Sequence, residues 1–256
     1  MKIITLLTDF GLKDPYAGIM KGVILSINPD VTIVDISHEV EAQDIREGAF
    51  LIKEYHTYFE KGTIHVAIVD PTVGSERRPI VFSKDGHFFI GPDNGIFTLV
   101  IDEDTEIYLI ENKKFMMRNI STTFHGRDVF APVAAHLSLG FHLSAFGEVV
   151  TDPVCLTDIF PKIETDVIYG EVVRFDRFGN AITNIHASTL NTFIKGKKFR
   201  ITIGKTSFES IDKSYYEKEV TCLTGSAGYL EFAYYRGSFR EEKKVWKGDE
   251  VTVRVE

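Results

Sequence analysis

The stretch IHVAIVDPTVGSERR, Ile64–Arg78, decides how the rest of the chain is read. Six largely apolar, β-branched residues run directly into Asp70, and a proline and a small-residue turn return the chain so that Arg77 follows seven positions later. A continuous apolar run of this length is the pattern of a strand buried on both faces of a parallel sheet. Open α/β sheets bind ligands at the carboxyl ends of such strands. An aspartate at that edge, with an arginine directed back towards it, has the makings of a site.

The pattern continues on both sides of this stretch. Ile3–Thr8 and Val31–Ile36 read as short apolar strands, and a helix is expected between them. Asp14 is placed to cap it, Pro15 suits its first position, and Tyr16, Ile19, Met20, Val23, Ile24 and Ile27 keep helical spacing. A second helix is expected over Asp44–Phe59, with Ile45, Ala49, Ile52 and Phe59 on one stripe. Ile80–Ser83, Phe88–Gly91 and Ile107–Ile110 are shorter strands, and a third helix should run from Asp128, as its N-cap, to about Leu139. Strands alternating with helices predict an α/β domain with a mostly parallel sheet flanked by helices. Residues 151–167 carry two prolines and no clear period, and read as a linker. Beyond them Ile168–Phe175, Lys198–Ile203, Tyr229–Tyr235 and Val251–Val255 read as strands with no persuasive helix. The expected organisation is therefore an N-terminal α/β domain, 1–160, and a smaller C-terminal all-β domain, barrel- or sandwich-like, 161–256.

Composition narrows the classes. The chain has 256 residues, 44% of them hydrophobic, and a mean hydropathy of −0.02, as expected for a soluble globular protein. No apolar run approaches the roughly 18 residues of a spanning helix, and MKIITLLTDFG meets an aspartate too early for a signal peptide. Cys155 and Cys222 lack metal-type spacing and read as reduced, partly buried thiols of a cytoplasmic protein. The net charge of −8 falls entirely on residues 1–150, and no basic stripe offers a surface to nucleic acid. The acidic half is compatible with a cationic small ligand.

Five segments, the opening one among them, carry chemistry-bearing groups. Thr8-Asp9-Phe10-Gly11 ends the first strand with a carboxylate able to accept from a ribose diol, or to cap the turn that follows; no G-x-G-x-x-G or Walker-A pattern accompanies it. Asp70 with Arg77 forms either a hydrogen-bonding fork in a site or a structural ion pair. Phe124-His125-Gly126-Arg127-Asp128 places a histidine beside a glycine that permits close approach. Asp176-Arg177-Phe178-Gly179-Asn180 offers carboxylate, aromatic and amide groups in a tight turn, and Gly225-Ser226-Ala227-Gly228 is a small-residue loop before a strand.

In this order TDFG, VDPxVGSERRPI, GPDNG, FHGRD, DRFGN and GS-x-GYLE resemble the S-adenosyl-L-methionine (SAM) hydroxide adenosyltransferases, adenosine-forming SAM hydrolases related to fluorinases and chlorinases. The resemblance spans nearly the whole chain. It implies hydrolysis of SAM to adenosine and methionine by in-line attack of water or hydroxide on the ribose 5′ carbon, with no metal or other cofactor. It implies a catalytic set of Asp70, Arg77 and His125, in which Arg77 favours hydroxide and His125, oriented by Asp70, can accept the proton. Whether Asp70 or His125 finally holds that proton stays open. Halogenating relatives carry Tyr in place of Asp70 and Tyr-Ser in place of His125-Gly126, so the hydrolytic branch is the better match. Asp9 is implied as the ribose contact, Asp176, Phe178 and Asn180 as methionine-amine and adenine contacts, Ser226 as a carboxylate contact, and the backbone near Arg236 as an adenine contact. Asp14, Thr72, Phe124 and Glu231, within or beside these motifs, complete the expected substrate-binding set. Thr72 stands where the family has Gly, and Tyr234-Tyr235 where Val-Asn is expected. The resemblance also implies a homotrimer with active sites at subunit interfaces. Two other classes fit parts of the pattern: a sensor that binds SAM or adenosine without turnover, and a metal-dependent hydrolase using Asp9, Asp35, His38, Asp70 and His125.

Overall fold

A computed structural model describes residues 2–255. The chain divides into two compact units, one ending at Leu156 and the other beginning at Thr157. Among the described residues no helix is long and apolar enough to cross a membrane.

The first unit is built on a seven-stranded sheet. Its strands are β1 (Lys2–Thr8), β2 (Val31–Ser37), β3 (Ile64–Ile68), β4 (Pro79–Lys84), β5 (His87–Pro92), β6 (Ile107–Leu109) and β7 (Val149–Val150), in the order β2-β1-β3-β5-β4-β6-β7. β2, β1, β3 and β5 are mutually parallel, while β4, β6 and β7 add antiparallel pairings. The sheet is thus mixed, and its parallel part is the part foreseen from Ile64–Val69. Alternate residues of the central strands serve opposite faces. Ile4, Leu6, Val66 and Ile68 pack with Met20, Ile24 and Ala134, and Leu7, Ala67 and Val69 pack with Ile52, Phe82 and Phe89. Helices α1 (Tyr16–Ile27) and α3 (Ala131–Ser138) thereby share one face, and α2 (Ile45–Tyr55) covers the other.

Two helix starts differ from expectation. Pro15 itself occupies the N-cap of α1, without a side-chain bond, so exposed Asp14 does not cap it. Tyr16 and Ile19 are also exposed rather than buried with the stripe. Asp128 does not begin a helix either. It lies inside a π-helical turn, Gly126–Phe130, that runs straight into α3. Asp44 does cap α2, accepting from the Glu47 amide.

The second unit is a β structure with strand order β12-β11-β15-β9-β10-β14-β13, and β8 (Lys162–Ile163) pairs with β9. The longest strands, β9 (Val167–Phe175), β10 (Ala181–His186), β14 (Tyr229–Tyr234) and β15 (Glu250–Val255), pair antiparallel around buried Ile168, Ile185, Phe232 and Val253. β11 (Phe199–Ile203), β12 (Thr206–Phe208) and β13 (Val220–Thr224) complete it. This unit also holds two short helices where none was expected, α4 (Ala187–Ile194) and α5 (Phe239–Lys243). Both are stabilised locally: His186 and Ser238 accept from amides of the first turns, and Lys195 and Lys244 close the helices in the left-handed conformation. Both cysteines are free, Cys222 buried and Cys155 exposed.

Candidate active site

The order of the strands creates the site. From β1 the chain crosses to β2 on one side and then to β3 on the other, so the carboxyl ends of β1 and β3 flank a topological switch point. Thr8 lies opposite Ile68 in the parallel register, which sets Asp9 and Asp70 just beyond neighbouring strand ends. A cavity of about 400 Å³ opens there, lined by Asp9, Phe10, Tyr16, Asp70, Phe124, His125 and Arg127 among others.

At the back of this cavity Asp70, Arg77 and His125 form one hydrogen-bonded group. Arg77 Nε donates to both Asp70 oxygens at 3.0 and 2.9 Å, and its Nη2 donates to Asp70 as well. The same Nη2 lies 2.9 Å from His125 Nδ1. A guanidinium has only donors, so Nδ1 accepts and the ring hydrogen sits on Nε2. Arg77 therefore orients His125, in place of the direct Asp70 contact expected from the sequence. Burial, and next the Arg77 charge, push the His125 pKa below its ordinary value, so the imidazole is neutral near pH 7. Asp70 and Arg77 side chains are only 5% and 7% exposed, so this is an interior pair whose charges are strongly felt. Asp70 and His125 face the cavity, while Arg77 stands behind them against the Phe130 ring.

Two glycines let these segments meet. Gly74, at φ +81°, packs so tightly that a Cβ would lie 2.1 Å from the Thr122 carbonyl oxygen, which holds the 121–123 segment against the Asp70–Arg77 turn. Gly126 is packed against Met20 and Phe124, each 3.2 Å from a would-be Cβ. Its smallness thus serves the seating of the π-helical turn on α1. Asp128, nearly fully buried, accepts from the Ser121 amide and from Arg127, whose guanidinium lies 5.2 Å from the Phe124 ring centre. Burial opposes the Asp128 charge, yet these bonds prevail and keep the carboxyl below its ordinary pKa.

Asp9 accepts from the Gln43 amide at 2.8 Å. The turn after β1 is capped by Thr8, whose Oγ1 accepts from Phe10, so the capping alternative for Asp9 falls away. Burial first, and the nearby Asp70 charge to a lesser degree, raise the Asp9 pKa. Phe10, Tyr16 and Phe124 form an edge-to-face cluster with ring centres 5.2–6.0 Å apart. Phe10 and Tyr16 were not singled out in the sequence, where Phe10 read as part of a turn and Tyr16 as core. Thr72 is exposed and outside the cavity lining, as is Asp14.

The remaining expected residues belong to the second unit, where a cavity of about 640 Å³ is lined by Asp176, Phe178, Asn180, Ser226 and Arg236, together with Tyr215, Tyr234 and Tyr235. Asp176 organises the β9–β10 turn: Oδ1 accepts from the Phe178 and Asn180 amides and Oδ2 from the Asn180 side chain. That leaves Phe178 projecting into solvent, 75% exposed. Glu231 is buried on β14 and accepts from the Tyr215 hydroxyl, outside the lining. Tyr215 lies in a segment without strand period, and no motif marks it.

The five residues of the metal-site alternative are not all brought together. Asp9, Asp70 and His125 line one cavity, with an arginine between the latter two and Asp9 held by the Gln43 amide, while Asp35 and His38 lie together outside its lining. Among the described residues the acidic trio Glu41, Asp44 and Glu47 is the one close grouping of potential ligands, and Asp44 there is the α2 cap.

The chain matches two family models in succession, the SAM hydroxide adenosyltransferase N-terminal domain over residues 4–147 and its C-terminal domain over residues 170–252. It is 37% identical to an (R)-S-adenosyl-L-methionine hydrolase of Thermus thermophilus over 94% of this chain and 95% of that protein. It is 36% identical to the protein of the same name from Methanocaldococcus jannaschii, over 99% and 96%. A fluorinase of Nocardia brasiliensis is 31% identical over 99% and 97%. Among solved structures, an uncharacterised conserved protein from Thermotoga maritima superposes with a TM-score of 0.87 at 35% identity, covering 98% of this chain and 99% of that one.

Proposed function

Since the chain belongs to the SAM hydroxide adenosyltransferase family, we propose that it hydrolyses SAM to adenosine and methionine at the Asp70–His125 cavity. The observation that carries this reading is the Arg77 guanidinium bonded to both Asp70 and His125 behind the cavity wall. In the reaction the water oxygen forms a bond to the ribose 5′ carbon as the carbon–sulfur bond breaks. The electron pair leaves on sulfur, giving a neutral thioether that needs no general acid.

What the protein must supply is position and a more nucleophilic oxygen. His125, its Nδ1 engaged by Arg77, presents an Nε2–H donor that orients the water. Asp70, a carboxylate with lone pairs beyond those taken by Arg77, receives the water proton and passes it to solvent. The cationic Arg77 and the substrate sulfonium together favour hydroxide character at the attacking oxygen. Holding that oxygen about 3–3.5 Å from the carbon, in line with the breaking bond, lowers the barrier by several kcal/mol. Asp9 is read as the acceptor for the ribose hydroxyls, and Asp176, Phe178, Asn180, Ser226 and Arg236 as contacts for the adenine and methionine ends. The reading extends to a homotrimeric, cytoplasmic enzyme, and sedimentation of the purified protein tests the trimer.

The decisive experiment is incubation with SAM. Equimolar adenosine and methionine are expected, undiminished by chelators. Recovery of intact SAM after repeated binding would instead make the protein a sensor. His125→Ala should lower kcat by about 10²-fold with little change in KM, as for loss of a group acting in the transition state. Wild-type turnover in that variant would remove His125 from the mechanism.

A further inference from the structure

The cavity accounts for one of the two histidine groups near the strand ends. The other, Asp35–His38–Thr8, lies outside the lining of that cavity, yet it is bonded to the turn that carries Asp9 and Phe10. His38 is 3% exposed, and its Nδ1 lies 2.8 Å from Thr8 Oγ1 while its Nε2 faces Asp35 Oδ1 at 3.1 Å. The Asp35 charge beside Nε2 favours the hydrogen there, although the two do not align as a hydrogen bond; Nδ1 is then the acceptor and the Thr8 hydroxyl donates to it. The freed lone pair of that hydroxyl accepts from the Phe10 amide at 3.2 Å. Asp35 is in turn held by Lys21 Nζ at 2.5 Å, which keeps its charge beside the His38 ring.

The main chain repeats the connection. The Gly11 amide donates to the His38 carbonyl at 2.6 Å, the Val40 amide donates to the Thr8 carbonyl at 3.3 Å, and the Gln43 amide donates to the Asp9 carboxylate at 2.8 Å. Residues 38–43 thus grip both ends of the 8–11 turn and the Asp9 carboxylate between them. Thr8 is fully buried, so its hydroxyl has no water to fall back on if His38 is lost.

We propose that His38, acting through the Thr8 hydroxyl and biased by the neighbouring Asp35 charge, is a positioning residue that sets the Asp9 carboxylate for recognition of a vicinal diol such as that of a ribose. The proposal rests on the SAM reading for the identity of the ligand, and on the hydrogen-bond chain for the role of the residues. Because Asp9 would bind the diol alike in substrate and transition state, disturbing it should change KM and leave kcat nearly alone.

The test compares Thr8→Val, which removes the hydroxyl at constant shape, with Thr8→Ser, which restores it. Thr8→Val should raise KM for SAM about tenfold with kcat within about threefold, as the hydroxyl's bonds to His38 and Phe10 are both lost. It should also abolish the preference for adenosine over 2′,3′-dideoxyadenosine measured by calorimetry, and Thr8→Ser should return both to within about twofold of wild type. Asp35→Ala, at a site open enough to spare folding, supplies a second variant should Thr8→Val not fold; a KM rise of about threefold is expected as the His38 tautomer is released. An unchanged KM and preference in Thr8→Val, or an equal loss in Thr8→Ser, overturns the proposal. If the wild-type protein neither turns over SAM nor binds adenosine, the functional reading fails on its own. The positioning role is then judged by carbon-13 titration of the Asp9 carboxyl, whose midpoint should move in Thr8→Val and not in Thr8→Ser; a midpoint that stays put overturns it.

Discussion

Strand β3 has ionisable groups at both ends, and the protein treats them in opposite ways. Near its start, His65 is fully buried, bonded through Nδ1 to Thr5 and through Nε2 to His87, with His56 packed edge-on beneath the end of α2. Just beyond its other end, Asp70 is paired with Arg77 and faces a cavity. Burial dominates at the histidine end and holds His56, His65 and His87 below their ordinary pKa, His65 down to about 3. At the aspartate end an opposite charge accompanies the carboxylate. The same strand therefore supports neutral polar packing at one end and a charged, accessible group at the other. The first should govern acid stability and the second should govern turnover.

The largest effect expected from this contrast is at the cavity end. Asp70→Asn keeps the shape and an acceptor for Arg77 but removes the proposed proton acceptor, and kcat should fall by about 10²–10⁴-fold. KM should stay within a few-fold, checked by adenosine release under saturating SAM. An Asp70→Asn protein with wild-type kcat would break the contrast at its active end.

The histidine end should be silent in kinetics and audible in stability. The folded-state pKa of His65 lies below the ordinary 6.5, so the unfolded chain takes up that proton first as pH falls. Its contribution is complete above about pH 7 and is lost through the window from 6.5 towards 3, at about 1.4 kcal/mol per pH unit. Between pH 7 and pH 5 this histidine alone should cost about 2 kcal/mol, read from urea midpoints. His56 and His87 add in the same direction. His65→Gln should be less stable at pH 7 but flatter with pH; an acid response as steep as that of the wild type would show that the cluster is not its source.

Phe178 sharpens the comparison from outside the strand. At 75% exposure it adds little to the fold, so Phe178→Ala should leave the thermal midpoint unchanged. If the ring stacks on adenine, KM should rise about tenfold, within the 1–3 kcal/mol range of such contacts. A thermal midpoint that falls with no change in KM would make it a structural residue instead.

Much of this was legible in the sequence because it depends on local pattern. The apolar run of β3 and the motifs ending β1 and β3 name both the parallel sheet and the edge where ligands bind. The antiparallel strand β4 was less plain, although Asp85 and Gly86, both at positive φ, form the two-residue hairpin turn that joins it to β5. In α5 the Ser238-x-x-Glu241 spacing was a readable cap. Helix α4 had no such pattern: its Ser, Thr and Asn residues are weak helix formers, and Leu190 is its one buried anchor. The order of donors in the site was beyond reach. Nothing in the spacing of Asp70, Arg77 and His125 says that arginine stands between the other two, because that depends on the close packing of Gly74 on Thr122.

The smallest expected effect concerns Thr72, where the family resemblance calls for glycine. The Val73 amide donates to the Asp70 carbonyl and the Ser75 amide to the Thr72 carbonyl, so Pro71 and Thr72 are the central residues of a tight turn beside Asp70. A type II turn would need positive φ at the second central position, which favours glycine; a type I turn would not. Thr72 is absent from the positive-φ residues, so this turn is of the kind that accepts threonine after proline. Thr72→Gly should then leave kcat within about twofold and lower stability by about 0.5–1 kcal/mol, because glycine adds freedom to the unfolded chain. Were kcat instead to rise tenfold or more, the threonine would be restraining a peptide flip that moves Asp70. The two ends of β3 would then differ in flexibility as well as in charge.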